Sequence, residues 1–346
     1  KAMTPNALLE AINILGVNLD EVYVPTGNNY QSTTGTVTIA KGQTTATVAQ
    51  GGYMITAPKV KIEANLTLYV DFTLNVWLPT DTAVTLLNVG GTDCRLSELD
   101  VVNGRYRIKV ESISASEAAD VITILITYTD GDKTLTVEKA YSVIEYAKSI
   151  IENEKYSSEA KSLLASVVDY VSSVYTYDKK ALPDMLTTLI GSDAYKNALE
   201  LGTSDGTATV PTTTTDIGTA KNAISGARLS LGNTVDFVFT VNPEYTGPIT
   251  LSYAGRLYEC EAVNGKIGEN DYIRINMRAF DLFDEVITIT AGEYSGTYDL
   301  EAYIAVIRTE YETEESLEAL LISLYNYCKE ANEYKAYITA NGGALN

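Results

Sequence analysis

The side chains that could do chemistry are few. No histidine occurs among the 346 residues, which removes Ser-His-Asp and Cys-His catalysis, imidazole general bases and the usual zinc or non-haem iron sites. Cys94, Cys260 and Cys328 are too scattered for a disulfide framework or a CxxC metal site, and they read as buried thiols. Carboxylates are plentiful, at 45 Asp plus Glu, and a pair of them could hydrolyse a glycosidic bond. Abundance singles out no pair, and Glu312, Glu314, Glu315 and Glu318 fit a solvated helix face. Asp130-Gly131-Asp132 and Gly268-Glu269-Asn270-Asp271 offer oxygen ligands that suit calcium, yet the same residues are ordinary turn formers. A Lys–Asn or Lys–Asp isopeptide link stays open, because sequence does not say which partners face each other. No catalytic residue, metal ligand or cofactor is assigned, and the expectation is a protein that is not an enzyme.

The stronger chemical signal is aromatic. The chain holds 25 Tyr but only 5 Phe and 1 Trp, so most of its aromatic surface carries a hydroxyl suited to half-wet positions. Flat exposed rings are what sugar-binding surfaces use, because a pyranose presents an apolar C–H face to stack and a rim of hydroxyls to hydrogen-bond. Trp77 falls out of phase with the buried residues of its strand and should stand on the polar face, just before Pro79. Tyr272 is on the outward side of its strand beside Ile273 and Ile275, and Tyr258 and Tyr245 are expected in loops. Trp77, Tyr245, Tyr258 and Tyr272 are thus the carbohydrate-binding candidates.

The elements that must position these rings come in two copies. Sliding the chain by 231 − 66 = 165 positions lays 66–131 on 231–296 without a gap. Val70-Asp71-Phe72 then falls on Val235-Asp236-Phe237, Thr85-Leu86 on Thr250-Leu251, and Val121-Ile122-Thr123-Ile124 on Val286-Ile287-Thr288-Ile289. Leu163-Leu164 and Tyr170 pair with Leu320-Leu321 and Tyr327 at a shift of 157, and the Pro-led run Pro5 to Gly16 resembles Pro183 to Gly191. The predicted domains are 1–180 and 181–346, and each reads as a helix, several strands and a helical hairpin. Trp77 corresponds to Asn242 in the second copy, so a shared sugar site would not be chemically identical in both.

Strands are predicted at 70–78, where apolar and polar residues alternate, and near 84–89, 105–111 and 121–128, with a hairpin turn at 129–132 and a threonine-rich hairpin at 35–47. Helical periodicity follows from Val137 through Ile151, then from a second helix opened by Ser157 or Ser158; the copy carries Tyr303–Thr309 and Thr313–Glu330, with Thr313 as cap. Stretch 202–222 is rich in Thr, Gly and Ser and is expected to add an edge strand at 206–210. The fold class is mainly β with α: two tandem copies of a β-sandwich-like domain, each closed by an antiparallel helical hairpin.

The hairpin residues Tyr141-Ser142-Val143, Tyr146-Ala147, Leu163-Leu164 and Tyr170 carry a family resemblance. They are similar to modules in secreted polysaccharide-adherence surface proteins of gut clostridia and ruminococci, some belonging to cellulosome- or amylosome-like assemblies. The second copy departs from the motif with Tyr303-Ile304-Ala305-Val306, and no dockerin calcium loop is present. The resemblance implies a non-catalytic, extracellular, cell-surface protein that binds polysaccharide, with starch-like α-glucan favoured and other surface proteins as further partners. The alternative is a structural or adhesive spacer or filament protein without a sugar site. With 25 Lys plus Arg against 45 acidic residues the net charge is −20, which opposes nucleic acid and anionic membrane alike. No apolar run approaches the length of about 18 residues that a membrane span needs, and Lys1 to Pro5 does not read as a signal peptide.

Overall fold

The computed structural model describes residues 62–68, 72–130, 133–202, 216–231, 235–310 and 314–342. The expected helix at 5–16, the hairpin at 35–47, the strand at 206–210, the turn residues 131–132 and the Thr313 cap lie outside the described residues. Among those described, the chain is mixed α and β, with 15 strands in four antiparallel sheets and seven helices.

The first eight strands are β1 (Glu63–Leu68), β2 (Phe72–Pro79), β3 (Ala83–Val89), β4 (Thr92–Cys94), β5 (Asp100–Val102), β6 (Arg105–Ile113), β7 (Ile122–Asp130) and β8 (Lys133–Tyr141). They make two sheets, β1-β2-β6-β5 and β4-β3-β7-β8. Helices α1 (Val143–Ile151), α2 (Ser158–Tyr177), α3 (Asp184–Gly191) and α4 (Asp193–Glu200) follow. The remainder holds β9 (Ile224–Leu231), β10 (Val235–Val241), β11 (Gly247–Tyr253), β12 (Arg256–Ala262), β13 (Tyr272–Asn276), α5 (Ala279–Asp284), β14 (Ile287–Ala291), β15 (Tyr294–Tyr298), α6 (Leu300–Glu310) and α7 (Glu315–Ala340). Its sheets are β9-β10-β13 and β12-β11-β14-β15. Apart from the short β5, the two halves have the same strand order in both sheets.

The chain forms two compact units. One comprises 1–65, 75–109 and 121–141, and the other 66–74, 110–120 and 142–346. The unit holding the second half of the chain therefore also holds α1 and α2. In the first unit the alternation in β2 buries Val76 and Leu78 and leaves Trp77 half-buried, while Leu87, Ile124, Ile126, Tyr128 and Val137 complete the apolar interior.

In the second unit Phe237 and Phe239 on β10 meet Tyr298 edge-on at 5.9 and 5.8 Å. Tyr170 of α2 stacks on Tyr327 of α7 at 5.8 Å, with Phe72 tilted against Tyr327 at 6.4 Å. All four of Phe72, Tyr170, Phe237 and Tyr327 are buried, so the Leu-Leu…Tyr pattern of both hairpins is a packing code. Ser157 caps α2 by accepting from the Ala160 amide at 3.3 Å.

The first hairpin helix starts later than its periodicity predicts. Lys133–Tyr141 is a strand paired along its length with β7, and the helix begins at Val143, where Ser142 Oγ accepts from the Glu145 amide at 3.0 Å. Sheet pairing wins because Leu125, Ile126 and Thr127 of β7 present a ready edge opposite Glu138, Val137 and Thr136. Helix α7 runs ten residues past the expected end at Glu330, to Ala340. Tyr258 lies within β12, opposite Leu251, and not in a loop. Of the three cysteines only Cys328 is buried; Cys94 and Cys260 are partly exposed.

Candidate functional site

In the first unit, one face of strands β1, β2, β5 and β6 gathers an indole, two guanidinium groups, an amide and two carboxylates from residues 63–65, 77 and 100–109. Its placement begins with Asn103-Gly104, both at positive φ (50° and 72°), between β5 and β6. Two left-handed residues in sequence make the tight hairpin that suits strand twist, and Asn-Gly is the pair that reaches it most readily. Val102 is thereby set opposite Arg105 and Asp100 opposite Arg107. Thr80, just past β2, donates from Oγ1 to the Gly104 carbonyl at 2.8 Å and fastens the β2 end to this turn.

Period two then puts Arg105, Arg107 and Lys109 on one face of β6. The Arg105 guanidinium lies 5.2 Å from the centre of the Trp77 ring, within cation–π range. Glu63 of β1 holds Arg105 at 2.9 Å, and both side chains are 38% exposed. The Trp77 indole N–H donates to Asn65 Oδ1 at 2.7 Å. Trp77 is therefore fixed by neighbours on both flanking strands. Asp100 accepts from Arg107 at 2.7 Å, with Lys109 at 3.8 Å. That hydrogen bond, with the two positive charges, holds the Asp100 carboxyl below its ordinary 3.8. Arg107 Nε is buried and meets no acceptor among the described residues.

The three tyrosine candidates lie in the second unit and do not form a common platform. Tyr245 precedes β11, donates its hydroxyl to the Pro248 carbonyl at 2.9 Å and tilts against Tyr294 at 6.4 Å. Burial pushes its phenol up from the ordinary 10.0. Tyr258 is 41% exposed on β12. Tyr272 opens β13 opposite Thr240, half-buried, with the Arg274 guanidinium 5.9 Å from its ring. Among the described residues no hydrogen bond or ring contact joins any two of Trp77, Tyr245, Tyr258 and Tyr272.

Sequence reasoning found Trp77 and missed its setting, namely Glu63, Asn65, Asp100, Arg105 and Arg107. The signal was there in Asn103-Gly104 followed by Arg-x-Arg-x-Lys, a hairpin turn feeding a one-faced basic strand. The Gly268-to-Asp271 stretch closes a tight turn in which the Ile267 and Asn270 backbones bond to each other at 2.7 and 3.2 Å. Among the described residues no group of three or more Cys, Asp or Glu is placed to hold a metal ion, and no helix is long and apolar enough to cross a membrane. No protein-family model and no curated protein matches the chain.

Proposed function

We propose that this is a non-catalytic extracellular polysaccharide-binding or adherence protein, with starch-like α-glucan as the favoured ligand. The observation that carries the reading is Trp77, the chain's single indole, half-buried on one sheet face and fixed between Arg105 and Asn65. A ring locked in place stacks on a pyranose without losing side-chain freedom on binding. Around it Glu63, Asp100, Arg105 and Arg107 supply the charged donors and acceptors that hydroxyls use. The resemblance of the helical hairpins to polysaccharide-adherence modules points the same way.

The chain is, on this reading, two diverged copies, 1–180 and 181–346, each a β-sandwich-like domain closed by its own helical hairpin, and the shared strand order of the sheets supports it. The copies are not equivalent as binding surfaces, because Asn242 stands where the first has Trp77. Tyr245, Tyr258 and Tyr272 would act as separate weak contacts along a polymer. Two linked weak sites gain roughly 10²–10⁴ in apparent affinity when both reach the same chain.

One observation favours the structural-spacer reading instead: the indole N–H is already committed to Asn65 and one side of the ring faces Arg105. Trp77→Ala separates the two. As a sugar platform it should lose about 1–3 kcal/mol of binding in affinity electrophoresis on starch, and the fluorescence of the wild-type indole should respond to a soluble maltooligosaccharide. Unchanged retention on starch, cellulose, xylan and mucin, with silent fluorescence and a lower melting temperature, would leave the spacer reading standing.

A further inference from the structure

The second unit contains a cleft of about 670 Å³ between α2, α4 and α7. Helices α2 and α7 run antiparallel along its length, tied by Ser162 to Glu330 at one point and by the Tyr170–Tyr327 stack at another. Two residues on their facing surfaces, Ser166 and Ser323, line the cleft. Each spends its hydroxyl hydrogen on its own helix, Ser166 on the Leu163 carbonyl at 2.7 Å and Ser323 on the Leu320 carbonyl at 2.9 Å. Only their oxygen lone pairs are left for anything else.

Asn326, beside them on α7, is 5% exposed, and its Oδ1 takes no hydrogen bond from any described residue. An acceptor buried without a donor is uncommon in folded chains and asks for one. Asp169 of α2 lines the same cleft, with the Tyr195 hydroxyl of α4 near enough to act on its carboxyl. Glu200 lies at the end of α4 on the cleft wall. Among the described residues neither carboxylate has an ion-pair partner. Lys196, the one cation among the described residues that line the cleft, instead donates its Nζ to the Gly191 carbonyl at 3.1 Å. Leu199 and Ile322 add apolar wall between the polar groups.

The cleft thus presents several acceptors, two carboxylates that pair with no cation among the described residues, and an aliphatic strip. We infer that it binds a small organic cation, a primary ammonium on an aliphatic stem, with the ammonium donating to Asn326 Oδ1 and the Asp169 carboxylate. Three N–H donors on one nitrogen match several converging acceptors, and the methylenes lie against Leu199 and Ile322. The burial that pushes the Asp169 carboxyl above its ordinary 3.8 is relieved by a cation at that place.

The probe is 1,4-diaminobutane, titrated calorimetrically into the full chain, with 1,4-butanediol as the uncharged match in length. Saturable one-site binding of the diamine and none of the diol is expected. Asn326→Leu should weaken the diamine at least tenfold while folding normally, since it removes an oxygen that has no partner. Asp169→Asn should weaken it comparably while keeping an acceptor for Tyr195, and it decides the matter alone if the first variant does not fold. No diamine binding, equal binding of diol and diamine, or binding untouched by Asp169→Asn, as expected of loose attraction to a chain of net charge −20, overturns the assignment.

Discussion

Strands β2 and β6 in the first half, and β10 and β13 in the second, occupy the same places in sheets of the same order. On both, an arginine lies over an aromatic ring and pairs with a carboxylate. In the first half Arg105 sits over Trp77 and its partner Glu63 is 38% exposed. In the second, Arg274 sits beside Tyr272 and pairs at 3.0 Å with Asp236, which is only 2% exposed and also accepts from Asn276 at 3.1 Å. Similar pieces sit in different surroundings: the second set neutralises a buried charge, and the first is laid out where water reaches it. The same strand order leaves the roles of individual side chains open, and the burial of each carboxylate decides whether its salt bridge holds the fold or furnishes a surface.

The sharpest test of the comparison lies at the sheet edges. Lys139 of β8 pairs with Ile124, and Gly296 of β15 pairs with Ile289, the matching isoleucine of the other half. Gly296 has no room for a side chain because the Ile217 carbonyl occupies the place a Cβ would take. Gly296→Ala should cost about 3 kcal/mol, the upper part of the range for overpacking a filled site, as read by urea unfolding, whereas Lys139→Ala should stay within about 0.5 kcal/mol. Equal costs would mean that the two edges are not the different environments described.

A smaller effect is expected at the two ion pairs. Asp236→Ala removes a buried carboxylate and leaves the Arg274 and Asn276 donors without it, and should destabilise by about 2 kcal/mol. Glu63→Ala breaks an exposed pair and should cost about 0–1 kcal/mol, although it frees Arg105 and should blue- or red-shift Trp77 emission. If Glu63→Ala proves the more damaging, the first face is holding the fold after all.

The smallest effect is the titration of Asp100. Its folded carboxyl is depressed below 3.8, first by the hydrogen bond from Arg107 and then by the charges of Arg107 and Lys109. The contribution of this contact is complete above pH 3.8 and fades as pH falls through the depressed folded value. The Asp100 carboxyl carbon followed by NMR should show a midpoint below 3.8 in the wild type and one closer to 3.8 in Arg107→Gln. A midpoint unmoved by that substitution would detach Asp100 from the Arg107 clamp.

Much of this was legible in the residue order. The gap-free overlay of 66–131 on 231–296 anticipated sheets of matching order, because each β-strand pattern repeats its own burial alternation. Ser157 announced a helix start, whereas Tyr170 and Tyr327 are fully buried although the tyrosine supply reads as suited to half-wet positions. The period of two did set Trp77 on the face opposite Val76 and Leu78, but the ring is half-buried beside Arg105 and not an exposed one. What local pattern could not decide was competition between elements. Residues 137–141 have a helical stripe, yet they pair with β7 because a neighbouring strand edge offers hydrogen bonds that an isolated helix end lacks.

The sequence by itself determined the strand periodicities, the repeat, the absence of imidazole chemistry and the strong negative charge, all properties of residue type and local spacing. Only tertiary structure decided that Arg105 covers Trp77, that Asp236 is buried while Glu63 is not, and that Ser166, Asp169 and Asn326 converge on one cleft. Ser166 and Asn326 stand 160 residues apart in the chain, and no local rule brings them together. Their convergence comes from packing Tyr170 against Tyr327, which sets α2 beside α7 and so turns scattered polar side chains into one acceptor-lined wall.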